Sequence, residues 1–397
     1  MRQSRYSLIT PPNCPSAAGR YVGGVLRIGR RTRNDCLPSG AVPPDLTMIS
    51  EGSSVTFGVR GMLRPLGELV ARDGLVLDEL FYPPVANALV NNPITGEGNF
   101  YYLPQLVDTS WYLFYNKGHF AAAGLDVEAP PRTWSELEAI ARRLNRPDPE
   151  GGWSQLGIDV AQTTYDQMYG QWLTAAGGRI YSDDLRRVVV GDVGNQGLST
   201  LEWIVRFTNE VNGGIVAQES VNRYARSGFY AGRMSMLLNG AWSYFQILEN
   251  APGTDLGVAP IPHRDGFDFH PPMSLGWGYA IPATAANPEA AWLLLKFLTL
   301  ELEGGGYFLL RQGRPGASAE INLQPEYYEA HPYWHVVQEN FNRSMPAQFE
   351  PSVSGTGSLG RQMINSVVRG QQSPRAAMEQ LVTTWQARLD EFWRGFN

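Results

Sequence analysis

Cysteine is scarce in this 397-residue chain: Cys14 and Cys36, both in its first tenth, are the only two. Two thiols so placed give the body of the chain no disulfide framework, and without a CxxC cluster they suggest no zinc site. Long apolar runs are absent too. No stretch approaches the about 18 consecutive apolar residues of a membrane span, and the opening MRQSRYSLITPPNCPSAAGRYVGG has only a short apolar run before Pro11 and Pro12, unlike a signal peptide. Lysine and arginine form no run, and the net charge is −6 with a pI near 5.5. That balance argues against nucleic acid or an anionic membrane as partner and leaves a small or neutral one.

Catalytic signatures are missing as well. His331 and His335 stand at i and i+4, but HPYWH lacks the glutamate of HExxH and carries proline after its first histidine, so both are expected as exposed helix-start residues. Ser354 and Ser358 lie in SGTGS, where the GxSxG of a nucleophile elbow is absent. No glycines form GxxxxGK[ST] or GxGxxG, so nucleotide binding has no support. Asp183 and Asp184, in YSDDLRR, read as a solvated cap. No catalytic residue, metal or cofactor is expected.

What is present is a globular chain. With 43% apolar residues it can bury large cores, and its length suits two or three domains or a two-lobed unit. Its 43 glycines and 28 prolines stay below the range of low-complexity sequence. Residues 1–41, dense in Arg, Gly, Pro and Ser, show no strand or helix period. From there VPPDLTMIS reads as a turn and a short buried strand, GMLRPLGELVARDGLVLDELF as short helical pieces, and FYYLPQLVDTSWYLFYNKGHF as alternating, aromatic and strand-like. In RTWSELEAIARRLN, Thr133 is an N-cap closed by Glu136, with Leu137, Ile140, Ala141 and Leu144 at helical spacing. A second helix follows Asn287 and Pro288, with Ala290, Leu294, Phe297 and Leu298 expected on its inner side, and Ser373–Pro374 repeats the device. Short strands (LGIDV, RMSMLLN, LGVAPIP, WGYAIP) between helices predict α/β layers, the last third being mostly helical. No fixed internal period is present.

Two segments concentrate exposed aromatic residues: FYAGRMSMLLNGAW and SLGWGYAIPATAANPEAAWLLLKFLT. Trp242 and Trp277 end buried apolar stretches, each beside a glycine that permits close approach to the backbone. Such an arrangement suits a flat ligand.

The order PPDL, GMLRPLGEL, LPQLVDTSWYLFYNK, AGLD…PRTWSELEAIARRL, FYAGRMSMLLNGAW, GWGYAIP…NPEAAWLLLKFLT and SPRAAMEQLVTTWQARLDEF resembles the extracellular solute-binding proteins of ABC sugar importers, the maltose-binding-protein-like group. Each motif alone is weak, but seven in the family's order are strong, and they cover residues 42–397. The resemblance implies an α/β, two-lobed periplasmic-binding-protein-like fold with a hinge and an interlobe ligand cleft. Crossings near Val107, Asp255 and Gln312 would divide it into lobe 1, residues 42–107 plus 256–311, and lobe 2, residues 108–255 plus 312–397. The family's signal peptide, and the strand, helix and strand it places ahead of PPDL, are not recognisable in residues 1–41. Cys14 lacks the apolar segment of a lipoprotein signal. A mis-called start or an upstream frameshift is the expectation for this segment, leaving lobe 1 without its central strand.

A sugar ring has apolar C–H faces and a fringe of hydroxyls, so its cleft needs aromatic plates and planar polar groups. Trp242, at a strand C-terminus, falls on the family's ligand-stacking tryptophan, and Trp277 lies on a lobe-1 segment crossing the cleft. The crossover DTSWYLFYNK offers Asp108, Thr109 and Trp111, and the loop after PPDL offers Glu51 and Ser53. Tyr165, Gln167 and Tyr169 precede or open a lobe-2 helix, one or two of them expected to reach ligand, with Trp172 open to a core role. SVSGTGSLGRQ resembles the family's last ligand-facing loop but carries no tryptophan.

The resemblance therefore implies a monomeric, non-catalytic, extracytoplasmic protein, periplasmic or lipid-anchored. It would capture a sugar or oligosaccharide between its lobes, close by hinge bending and deliver the carbohydrate ligand to ABC importer membrane subunits. A glycosidase with two carboxylates about 5 to 9 Å apart, and a sensory sugar-binding module on the same fold, are the alternatives.

Overall fold

A computed structural model describes residues 44–162, 166–221, 225–345, 351, 353 and 356–395. Both cysteines and the segment 1–41 lie outside these residues.

The strongest local signal forms as expected. Thr133 Oγ1 accepts from the Glu136 amide at 3.3 Å while Glu136 Oε2 accepts from the Thr133 amide at 3.2 Å, a complete capping box opening the helix Trp134–Leu144. Leu137, Ala141 and Leu144 of that helix are buried, and Ile140 packs against the same core. Ser373 caps the helix Pro374–Arg394, accepting from the Ala376 amide at 3.3 Å. No helix among the described residues is long and apolar enough to cross a membrane.

The strands, in chain order, are β1 (Thr47–Ser50), β2 (Leu103–Pro104), β3 (Tyr112–Asn116), β4 (Arg146–Pro147), β5 (Trp153–Gln155), β6 (Met236–Asn239), β7 (Leu256–Pro260) and β8 (Trp277–Ala280). They build one sheet in the order β1-β8-β2, another in the order β6-β3-β7, and a separate β4-β5 pair. The expected LGIDV strand does not form: Leu156 alone bridges Met234 in parallel, and residues 157–160 belong to no strand. Central β3 pairs antiparallel on both sides, and its alternation divides its side chains between two cores. Leu113 and Tyr115 enter a core built on residues 111–269 and 353–392, whereas Tyr112 and Phe114 enter a second core. That second core continues from the underside of β3, β6 and β7 into the β1-β8-β2 sheet, through Val107, Met273, Leu275 and Ala317. Apolar packing therefore links the two sheets beneath their junction.

Two expectations need correction. A lobe boundary near Asp255 would give β7 to the first lobe, yet β7 pairs with β3 from Asn116↔Leu256 to Tyr112↔Pro260. Leu256 and Val258 are buried under that sheet, which makes leaving it at Asp255 unfavourable; the chain meets the crossing segments later, at Ser274. The helix Pro288–Leu300 also turns a different face inward: Ala291, Trp292, Leu295 and Thr299 are buried, while Leu294 is 47% and Phe297 38% exposed. This helix is apolar nearly all round, so periodicity alone does not select a face. Bulk and polarity do: the Trp292 indole donates to Asp73 Oδ2 at 2.9 Å, and Lys296 pairs with the same carboxylate.

Candidate functional site

Three chain segments run side by side where the sheets meet. The middle one, Gln105–Asp108, links β2 to β3; on one side it bridges Ser274 through Asp108, with amides and carbonyls exchanged at 3.0 and 2.7 Å. On the other side Leu106 bridges Gly316, the Val107 amide donates to Pro315 O at 3.2 Å, and the Ala317 amide donates to Gln105 O at 3.0 Å. Counting the antiparallel register two residues along from Leu106↔Gly316 sets Arg314 opposite Asp108. Ser274, Asp108 and Arg314 thus form one row across three segments.

Trp242 reaches this row from β6. The chain leaves β6 through Asn239, whose Oδ1 accepts from the Gly240 amide at 2.9 Å, and the helix Ser243–Asn250 begins directly after the tryptophan. The indole folds back onto Gly240: a Cβ there would lie 2.2 Å from the ring atoms Cη2 and Cζ3, so only glycine fits beneath it. Trp111 meets Trp242 edge-on, with ring centroids 6.3 Å apart and planes at 85°. The Arg314 guanidinium lies over the Trp242 ring, Cζ 4.9 Å from its centroid. Gly313, at φ 63°, turns the third segment close to the helix after Trp242, its Cβ position 3.0 Å from Phe245.

The charges in the row are poorly matched by the protein itself. Arg314 makes no ion pair within 4.0 Å among the described residues, and its buried Nε finds no hydrogen-bond partner there. Burial pushes the Asp108 carboxyl up to about 6, the Arg314 charge opposing that rise. Thr109, next in the chain, faces inward and shares a 3.1 Å hydrogen bond with the Tyr112 hydroxyl, whose ionisation burial makes much harder.

The expected site residues divide clearly. Asp108, Trp111 and Trp242 come together with Arg314, and Thr109 is buried just beneath them. Trp277, half-buried on β8, pairs with Ser50, and its carbonyl accepts from the Gln105 and Leu106 amides at 2.9 and 3.1 Å. Glu51 opens the helix Glu51–Gly58, its amide donating to Gly276 O at 3.1 Å, and Ser53 Oγ accepts from Ser50 Oγ at 3.0 Å. These residues sit on the first sheet's side of the junction.

Tyr169 is a core residue, 2% exposed, its hydroxyl donating to Gly197 O at 2.8 Å and held above its ordinary ionisation range by burial. Gln167 is exposed ahead of the helix Met168–Ala175, and Tyr165 lies outside the described residues. Trp172 is fully buried, donating to Val160 O at 2.9 Å. Much of the SVSGTGS loop, Ser354 included, also lies outside the described residues, whereas Ser358 precedes the helix Leu359–Val368.

The histidine expectation fails for His331, which is 2% exposed and stacked on Tyr244 at 3.7 Å. Burial takes its imidazole down to about 3, so it stays neutral, whereas His335 is exposed. Asp183 and Asp184 form the expected solvated turn: Asp184 Oδ1 accepts from Ser182 and the Arg186 amide, and Asp183 pairs with Arg179.

Two sheets joined by crossing segments, with indoles and opposite charges gathered at the junction, give the chain a two-lobed architecture. The chain belongs to the bacterial extracellular solute-binding protein family, whose profile matches residues 37–301. It is 27% identical over 295 residues to the maltotriose-binding protein of Pyrococcus abyssi, covering 73% of this chain and 58% of that protein. Against the sn-glycerol-3-phosphate-binding periplasmic protein of Brucella abortus it is 31% identical over 232 residues, covering 56% of this chain and 49% of the other. The chain spans about three-fifths of the length of the first curated relatives it matches. Its fold is similar to that of an ABC transporter solute-binding protein from Thermotoga lettingae solved with α-D-tagatose, with a TM-score of 0.70, 23% identity, and coverage of 87% and 85% of the two chains. These relatives are binding proteins rather than enzymes.

Proposed function

We propose that this protein captures a carbohydrate between its two lobes outside the cytoplasm and delivers it to an ABC importer. It acts as a monomer and without catalysis. The observation that carries the reading is the meeting of Trp242 and Trp111 with Asp108 and Arg314 at the crossing segments. The partly exposed Trp242 indole offers apolar ring surface to the C–H groups of a sugar, while a carboxyl and a guanidinium offer an acceptor and a donor fork to its hydroxyls. Glu51, Ser53 and Trp277 would complete the wall on the first lobe when the hinge closes. The sugar-binding names among its relatives support the same class of solute.

A thermal-shift screen against mono-, di- and trisaccharides tests it. A ligand at 100 times its Kd adds about 2.7 kcal/mol to apparent stability, well within detection. One or more sugars should raise the melting temperature in proportion to the logarithm of concentration. A flat response to the whole panel would remove the carbohydrate reading.

A further inference from the structure

Arg314 was not among the residues its sequence context singles out, and its position has consequences for which solutes fit. It stands opposite Asp108 across a two-residue step of backbone register, with the Ser274 backbone bridged to the other side of Asp108. Its guanidinium rests over Trp242, with Nε buried and without a hydrogen-bond partner among the described residues. No hydrogen bond from the described residues reaches the Asp108 carboxyl either, the Asp108 amide and carbonyl being used by Ser274.

Two opposite charges in one row, not joined in an ion pair, set a requirement on whatever lies against them. A carboxylate or phosphate near Arg314 is attracted by the guanidinium and repelled by Asp108, so the two interactions offset each other. A hydroxyl carries both functions, donating its proton to Asp108 while its oxygen, or that of the next hydroxyl, accepts from Arg314. Resting on the capture role argued above, we propose that Arg314 is a specificity-determining residue: with Asp108 it reads two adjacent hydroxyls of an uncharged polyol or sugar and disfavours acidic solutes. This separates the chain in specificity from its relative named for sn-glycerol-3-phosphate.

Calorimetric titration of the full chain with maltotriose, D-tagatose, ribitol and sn-glycerol-3-phosphate, each at low and high salt, tests the assignment. At least one neutral probe should bind, with an affinity that changes little with salt, and sn-glycerol-3-phosphate should bind at least about 100-fold more weakly. For the neutral probe that binds best, Arg314→Gln should weaken affinity about 10- to 100-fold, the scale of a lost hydrogen bond to a charged group. A purely structural role is separated by comparing that probe with its monodeoxy analogues. The parent chain should discriminate strongly against at least one analogue, Arg314→Gln should lose that discrimination, and Arg314→Lys should retain part of it.

Tighter binding of sn-glycerol-3-phosphate, lost in Arg314→Gln, would overturn the assignment while leaving solute capture intact. Unchanged affinity and discrimination in Arg314→Gln would also overturn it. Failure of every neutral and acidic probe would instead remove the capture reading on which it rests.

Discussion

The Trp242 and Trp111 indoles meet edge to face, 6.3 Å between centroids and 85° between planes, though they come from chain positions 131 residues apart. β3 and β6 are neighbours in one sheet, and each tryptophan flanks one of these paired strands. The T-shaped contact lets the positive edge of one ring meet the negative face of the other and fixes the orientation of the pair. Replacing Trp242 with alanine should abolish the intrinsic-fluorescence change on adding a bound sugar and weaken binding by at least about tenfold. Trp111→Phe, which keeps an aromatic edge, should cost less. An unchanged titration of Trp242→Ala would remove that indole from the site.

Gly240 sets the pose of Trp242. Its alanine variant places a methyl 2.2 Å from the indole, so the ring must swing away or the backbone must shift. The expected cost is about 1–3 kcal/mol of stability, as for an overpacked site, together with a loss of sugar affinity. Urea unfolding and calorimetric titration measure the two effects separately. Wild-type affinity in Gly240→Ala would show that the pose does not matter for binding.

Thr133→Ala tests whether stability and binding separate. The variant loses the bond from the Glu136 amide to Thr133 Oγ1, while Glu136 Oε2 can still accept from the Arg132 and Thr133 amides. About 1 kcal/mol should be lost in urea unfolding, with sugar affinity unchanged. A large change in affinity would mean that the helix Trp134–Leu144 is coupled to the cleft.

The parts of this structure legible in the sequence are those decided locally. Thr133 and Glu136 announce their helix because both partners of the capping box lie within one turn. The position of Trp242 just past the end of β6 could be read because an apolar run there gives way to glycine. Arg314 could not, because its nearness to Asp108 arises from backbone register between segments about two hundred residues apart. Tyr169 shows another limit: an amphipathic ring can face a cleft or a core, and here the carbonyl of Gly197 accepts its hydroxyl inside. In the helix Pro288–Leu300 the inward face was set by Asp73, a distant partner of Trp292 and Lys296.

Asp108 should make stability and binding pull in opposite directions. Its carboxyl ionises at about 6 in the folded protein, against an ordinary 3.8, because burial disfavours the charge more than Arg314 restores it. Between about pH 4 and 6 the folded chain therefore holds a proton that the unfolded chain has released. Stability falls as pH rises through that window, and at neutral pH the ionised group costs on the order of 2–3 kcal/mol. Tyr112, whose hydroxyl is buried beside it, stays neutral throughout, so Arg314 and Asp108 carry the local charge. On the proposed role of Asp108, binding should show the reverse dependence: a solute hydroxyl donating to the carboxylate would lose that acceptor as the group protonates, so affinity should weaken as pH falls below about 6. Asp159 is also raised to about 6 by burial, so the wild-type stability profile contains both groups and only comparison with a variant isolates Asp108. Asp108→Asn should melt at a higher temperature than wild type at pH 7, bind sugar more weakly, and lose the fall in affinity below pH 6. Equal melting of the two proteins at pH 7, with parallel pH profiles of affinity, would show that Asp108 neither bears the cost of burial nor meets the solute.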